Sequence, residues 1–436
     1  MTTLITVCEY ALLTTEPVAP SLRQAQVPAS AFDWLCDLSA RFNNGAAQLL
    51  HVEGRRSLRW NSYVGVVETP CGTRLEILPK HVVQDESVAS SRALLRKLVQ
   101  AALSLKPRQA SVTGLERFDA PLSEWVMAQF LVELDRLLKR GLRFDYQRIE
   151  EEARFLRGQL DMVAQLRQPP GRQHYFRIRH DVFLPDRAEN RLLKLALEHV
   201  AALTRDAGNW RLASELRARM VDVPASRQVD SDFSAWRHDR LMAHYQAIES
   251  WCSLILNQQM PLAVAGEWQG MSLLFPMEKL FERYVEGCLR RQLLPEARLT
   301  AQAASEYLCW QNQKAMFRLQ PDMLVSKGEQ RWILDAKWKL LDQEDGDHRY
   351  GLSQADFYQL FAYGQKYLGG EGEMVLVYPK WAKFSQILSP FNFNDALRLW
   401  VLPFDLDRDV MLGVEQTTLG RDCLKVSPRL IMLEPA

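Results

Sequence analysis

The chain has 436 residues, of which 47% are hydrophobic and 25% charged, with 54 Lys and Arg against 53 Asp and Glu. These are the proportions of an ordinary globular protein of two or three domains. A formal net charge of +1 excludes a polycation, so any surface for nucleic acid must be local. No apolar run reaches the length of a membrane span. The seven cysteines are scattered and none forms Cys-x-x-Cys, which argues against a zinc or iron–sulfur site. With no basic start or cleavage site of a signal peptide in the opening residues, a cytoplasmic location is expected.

Residues 1–85 read as a β-rich domain. Ile5–Leu13 is expected as a strand, and Ala31–Phe42 as a helix stopped by Asn43-Asn44-Gly45. Tyr63–Glu68 and Arg74–Lys80 should form a hairpin around Pro70-Cys71-Gly72. No catalytic constellation is visible here, which suits a module for binding or assembly.

Residues 86–265 turn largely helical, with helices expected over Ser90–Leu105 and Ser123–Arg140, the second closed by Gly141. Between Ala153 and Lys194 nine Lys or Arg face four Asp or Glu, with Tyr175 and Phe176 among them. Arg172, Arg177 and Arg179 are candidates for phosphate contacts beside stacking aromatics. A solvated hairpin accounts for the same pattern.

Residues 266–436 read as an α/β layered unit. At its centre, Phe317–Lys339 looks like two strands joined at Ser326-Lys327-Gly328-Glu329. Side chains alternate across a strand, so Phe317, Leu319, Pro321, Met323 and Val325 should share an apolar face. Asp322, Asp335 and Lys337 fall on the polar face, with Asp322 expected opposite Ile333. Two carboxylates are hard oxygen donors suited to Mg²⁺, and a lysine two residues past the second can orient a nucleophile or steady phosphate charge. Upstream, Pro276 opens a helix on which Glu278 and Glu282 share a face, and either could supply a third acid. Downstream, Ser353 opens a helix on which Gln359 and Tyr363 share a face, with Gly369-Gly370 beyond its end. No Gly-x-x-x-x-Gly-Lys-Ser/Thr occurs, so any nucleotide-driven motor must be a separate chain.

Pro321-Asp322 followed by Asp335-x-Lys337 resembles the core of the PD-(D/E)xK nucleases. Gln359-x-x-x-Tyr363 resembles the helix that helps seat the DNA backbone in the RecB-like members. Further matching stretches are Tyr63-Val-Gly65, Glu76–Lys80, Leu156-Arg-Gly158, Asn190–Lys194, Leu280-Phe281-Glu282 and Leu334–Lys339. Together they resemble the McrC family, nuclease subunits of McrBC-type, modification-dependent restriction systems. The resemblance implies an α+β multidomain fold: a β-rich domain 1–85 that docks on a GTPase, a helical middle 86–265, and a PD-(D/E)xK endonuclease domain 266–436. It implies Asp322, Asp335 and Lys337 as the catalytic set, with Glu282 the likelier extra acid because it sits in Leu-Phe-Glu. Asp322, Asp335 and Glu282 would then hold Mg²⁺, with Mn²⁺ able to substitute, and Gln359 and Tyr363 would meet DNA. The implied partners are an McrB-like hexameric AAA+ GTPase and double-stranded DNA carrying methylcytosine. A stand-alone RecB-like repair nuclease and a non-catalytic subunit regulating an AAA+ motor are the alternatives.

Overall fold

The computed structural model describes residues 4–41, 48–80, 87–102, 120–172, 174–256 and 272–425. The chain divides into two compact units, Met1–Asp119 with Leu274–Ala436 and Ala120–Leu273. The first 85 residues, expected as a β-rich domain, group with the C-terminal region in one unit. The reason is burial. Every residue of the strands Tyr63–Glu68 and Arg74–Leu78 is buried, so this hairpin needs cover on both faces and cannot stand as a half-solvated sheet. It lies in a four-stranded sheet ordered Leu4–Cys8, Arg74–Leu78, Tyr63–Glu68, Leu273–Pro276, in which the last strand is distant in sequence from the other three. The helix that follows that strand, Met277–Gln292, starts with Met277 N donating to Ser62 O at 2.9 Å. Lys97, on the helix Val88–Ala102, meets Asp409 at 2.6 Å.

The single strand expected over Ile5–Leu13 is two, Leu4–Cys8 and Leu12–Thr14, separated by a turn in which Tyr10 has φ +64°. Leu12–Thr14 joins a second sheet of four short strands. The helices Ala29–Arg41, Val88–Ala102 and Leu122–Arg140 lie within a few residues of their expected spans; the ends expected at Phe42 and Leu105 fall outside the described residues.

The larger sheet runs in the order Arg298–Ala301, Met323–Lys327, Gln330–Ala336, Gly372–Pro379, Leu397–Asp405, Phe391–Asn392, with Val410–Met411 beside Leu397–Asp405. Its three central strands, from Gln330–Ala336 to Leu397–Asp405, are parallel and the outer pairings are antiparallel. Lys327 pairs with Gln330, leaving a two-residue turn whose Gly328 has φ +61°, the positive value that the tight hairpin turns demand. The register sets Met323 opposite Leu334 and Leu324 opposite Ile333. Extended by one pair it aligns Asp322 with Asp335, not with Ile333.

The first strand is also shorter than expected. Phe317 belongs to a separate two-stranded ribbon, Glu306–Gln311 with Lys314–Leu319, where it has φ +57° and is 69% exposed. Gln320-Pro321-Asp322 is a link between ribbon and sheet.

Helices cover both faces of the sheet. Gln354–Tyr367 buries Leu360, Tyr363 and Tyr367 in one cluster with Ile333, Met374, Leu376, Tyr378 and Leu399. It packs so closely that a Cβ on Gly364 would meet Leu397 Cδ2 at 2.8 Å. On Met277–Gln292, Phe281 lies 5.3 Å from Trp338 and 6.1 Å from Phe404 between ring centroids. Ser353 precedes the helix Gln354–Tyr367 as expected, but its side chain makes no capping bond.

The unit Ala120–Leu273 holds the helices Leu122–Arg140, Ala188–Leu203, Ala207–Arg219 and Gln246–Leu256, as its apolar periodicity implied. It is not helical throughout. Asp145–Ala153 and Phe176–Leu184 pair antiparallel over nine residues, with Gln159–Leu160 alongside. No described helix is long and apolar enough to cross a membrane.

Candidate active site

The ends of three structural elements bring the acidic residues together. Asp335 lies near the end of the strand Gln330–Ala336, is 2% exposed, and is followed by Lys337 as the ladder stops. Asp322 ends the link into the neighbouring strand, where its Oδ2 accepts from Ala336 N at 3.0 Å. Glu282 projects from Met277–Gln292, 6% exposed. Lys279 Nζ reaches its Oε2 at 2.7 Å. Glu278 instead adds negative charge around Glu9 and Tyr63, so the helix commits Glu282 to the cluster.

Electrostatics marks the cluster as charged beyond what it can neutralise. Burial, then Asp335 and Glu282, pushes the Asp322 carboxyl up to about 7. Burial also raises Asp335, although Lys337 pulls the other way. Burial works against the Lys337 ammonium, but Asp335, Asp356 and Asp322 together hold it above its ordinary range. Lys337 Nζ is 2.9 Å from Asp335 Oδ2 and 4.0 Å from Asp356 Oδ1. The contact with Asp335 is an ion pair by distance but lies off the hydrogen-bonding directions, and Asp335 Oδ2 is buried with no hydrogen bond. Tyr378, buried beneath, has its hydroxyl raised first by burial and then by Asp356 and Asp335.

A buried carboxylate oxygen without a hydrogen bond, among acids whose ionisation is opposed, is a donor set that fits a hard divalent cation. Asp322 and Asp335 would be its ligands, with Glu282 beside them. Among the described residues no three His, Cys, Asp or Glu side chains already converge as a metal cage. Gln302 Nε2 stands between two of the acids, donating to both Glu282 Oε1 and Asp322 Oδ1, the second at 3.2 Å.

The other expected site residues are placed differently. Tyr363 is 3% exposed, with its hydroxyl accepting from Gln359 Nε2 at 2.6 Å and donating to Gln320 O at 3.0 Å. It braces the link that delivers Asp322; Gln359 is the exposed member of the pair. Arg172, Arg177 and Arg179 lie in the other unit. Arg172 and Arg177 pair with Glu152 at 3.3 and 3.0 Å, and Arg179 with Glu150 at 2.8 Å and with Asp161. The excess of base over acid between Ala153 and Lys194 begins just past Glu150-Glu151-Glu152, which the sheet sets directly opposite Arg177–Arg179. Sequence reasoning missed Gln302 altogether. It gave no part to Asp356 or to Ala336 N, because only the three-dimensional register brings them to the cluster.

The architecture is a mixed α+β fold with several sheets, and it is the fold of McrC. A chain of the Thermococcus gammatolerans assembly of McrB AAA+ hexamers with bound McrC matches with a TM-score of 0.70 at 19% identity, covering 93% of this chain and 98% of that one. A chain of the T. gammatolerans McrBC complex matches with a TM-score of 0.51 at 20% identity, over 66% of this chain and 88% of that one. No curated protein matches the sequence. The family model of the McrBC 5-methylcytosine restriction system component matches residues 58–379, and the chain belongs to that family.

Proposed function

We propose that the chain is the DNA-cleaving subunit of a McrBC-type restriction system, hydrolysing phosphodiester bonds in methylcytosine-containing DNA together with an McrB-like AAA+ GTPase. The observation that carries the chemistry is the convergence of Asp322, Asp335 and Lys337 at adjoining strand ends, with Glu282 joined to Asp322 through Gln302. The arrangement resembles the core of the PD-(D/E)xK nucleases, which supports the reading. Family membership supports the restriction role, and the likeness to McrC bound to McrB hexamers supports the partner.

Asp322 and Asp335, with Glu282, would hold Mg²⁺ or Mn²⁺. When bound, such an ion supplies Lewis-acid stabilisation of phosphate charge and a more acidic water. Lys337 is kept protonated by its three acidic neighbours, so it serves as a fixed positive charge and hydrogen-bond donor for phosphate or water, and not as a base. Ala336 N and the Tyr363 brace fix the direction of the Asp322 carboxylate. The chain carries no phosphate-binding loop, so GTP hydrolysis belongs to the partner.

The test is cleavage of methylated and unmethylated plasmid with Mg²⁺, by the chain alone and with the GTPase and GTP. The expected result is cleavage of methylated DNA only in the complete mixture, lost in Asp335→Ala. Full cleavage by Asp335→Ala would place the active site elsewhere. Cleavage by the chain alone would favour a stand-alone nuclease, and GTPase stimulation without cleavage a regulatory subunit.

A further inference from the structure

Gln302 follows the strand Arg298–Ala301 and is held by its backbone as tightly as by its side chain. Its N donates to Asp322 O at 2.8 Å, and its φ is +49°, a left-handed conformation that residues other than glycine rarely adopt. On one side Ala301 pairs with Met323; on the other the Ala303 carbonyl accepts from Tyr367 Oη at 2.9 Å. The chain is thus pinned on both sides of a strained residue, and the side chain is delivered between two carboxylates. Its amide orientation follows from chemistry: an ionised carboxylate only accepts, so Nε2 must face Glu282 and Asp322.

The rest of each carboxylate is also fixed. Glu282 gives Oε2 to Lys279 and Oε1 to Gln302; Asp322 gives Oδ2 to Ala336 N and Oδ1 to Gln302. The amide therefore sits where two acidic groups point at each other, its partial positive charge easing their repulsion. A divalent cation bound there would use the same two oxygens.

We propose that Gln302 is a positioning residue of this site, an amide latch that holds Glu282 and Asp322 by the oxygens a divalent cation takes and is displaced when the cation enters. This rests on the cation-binding reading above. The latch keeps the acidic cluster from flying apart before loading, and it lowers the cation affinity by competing for its ligands. A full charge outcompetes an amide dipole for a carboxylate, so the exchange is favourable once Mg²⁺ is present at sufficient concentration.

The experiment is Mg²⁺ titration of the full chain by calorimetry, without DNA, together with thermal melting with and without Mg²⁺. Gln302→Met keeps bulk and backbone strain but cannot donate. It should bind Mg²⁺ roughly tenfold more tightly, since losing a competing hydrogen bond to a charged group is an effect of about that size. It should also melt earlier than the parent without Mg²⁺ and regain stability with it. Gln302→Glu, which replaces the donor with a further carboxylate, should shift both readings further the same way. Gln302→Asn, whose shorter arm draws the donor back from both acids and which tolerates the left-handed backbone, serves if the Met variant does not fold, with a smaller shift in the same direction. Unchanged or weaker Mg²⁺ binding by a folded variant would overturn the latch, because a merely structural glutamine cannot tighten binding when removed. Asp322→Asn is the control: if it binds Mg²⁺ like the parent, the cation site itself is wrong and the latch falls with it.

Discussion

Glu9 and Trp338 stand 329 positions apart, and Trp338 Nε1 donates to Glu9 Oε1 at 2.7 Å inside the protein. Trp338 directly follows Lys337, so a residue of the N-terminal segment grips the exit of the strand that carries Asp335 and Lys337. Lys80 N donates to the same oxygen at 3.0 Å, while Glu9 Oε2 is buried without a hydrogen bond. Truncation of the first 85 residues would remove this contact and the buried hairpin with it, so coupling to a GTPase is better probed by point substitution.

Glu9 makes stability depend on pH. Burial pushes its carboxyl from 4.5 up to about 7, against the Trp338 and Lys80 hydrogen bonds that favour its ionised form. The folded protein therefore binds the proton more tightly than the unfolded chain. The stabilisation is fully present below about pH 4.5 and is lost as pH rises through about 7, on the order of 3 kcal/mol in all. Glu9→Gln should remove that part of the slope. Denaturant unfolding at pH 5, 6, 7 and 8 reads it, and equal slopes for parent and variant would show that the proton is held elsewhere.

Asp322→Asn should separate stability from activity. The substitution removes repulsion from Asp335 and Glu282 and keeps an oxygen for Ala336 N, so the melting temperature at pH 8 should hold or rise. Cleavage should fall by more than about 10²-fold, since charge stabilisation by a bound ion supplies several kcal/mol of the barrier reduction. A variant that melts much earlier would mean that Asp322 serves the fold first.

The Arg172, Arg177 and Arg179 cluster should add little to DNA binding. Each is already paired with Glu150, Glu152 or Asp161 across its sheet, and a paired guanidinium releases few counterions on meeting phosphate. Replacing all three with Gln should leave the dependence of DNA affinity on salt concentration within about one unit of log–log slope. A drop of about three units would restore them as phosphate contacts.

The legible parts of the sequence were those where local pattern decides. The hairpin around Gly328, the helices Met277–Gln292 and Gln354–Tyr367, and the set Asp322, Asp335, Lys337 and Glu282 follow from period, turn chemistry and motif. The register was misread by two residues, because the turn holds two residues where four were expected, and Gly328 with positive φ closes it that tightly. The strand Asp145–Ala153 was not foreseen, because its charges alternate with few apolar residues and its partner strand lies over twenty positions away. Gln302 gave no signal, since an amide matters here only through two carboxylates brought to it by distant segments. The burial of Glu9 likewise depends on Trp338, which no local window contains.

Tyr363 tests whether its helix supports the site or touches DNA. Its hydroxyl closes a chain from Gln359 to the Gln320 carbonyl, two residues before Asp322, while the ring is packed against Tyr367 with centroids 6.5 Å apart. Tyr363→Phe keeps the ring and removes the brace, leaving the Gln320 carbonyl without its partner in a part-buried position. The cost should be about 1–2 kcal/mol in unfolding free energy, as for a lost hydrogen bond that strands an acceptor. Asp322 loses its aim with the link, so cleavage should slow several-fold while the affinity for uncleaved DNA, measured with Ca²⁺ in place of Mg²⁺, stays as in the parent. Weakened DNA affinity with unchanged stability would mean instead that the hydroxyl reaches the backbone of the DNA, and that the helix opens when DNA binds.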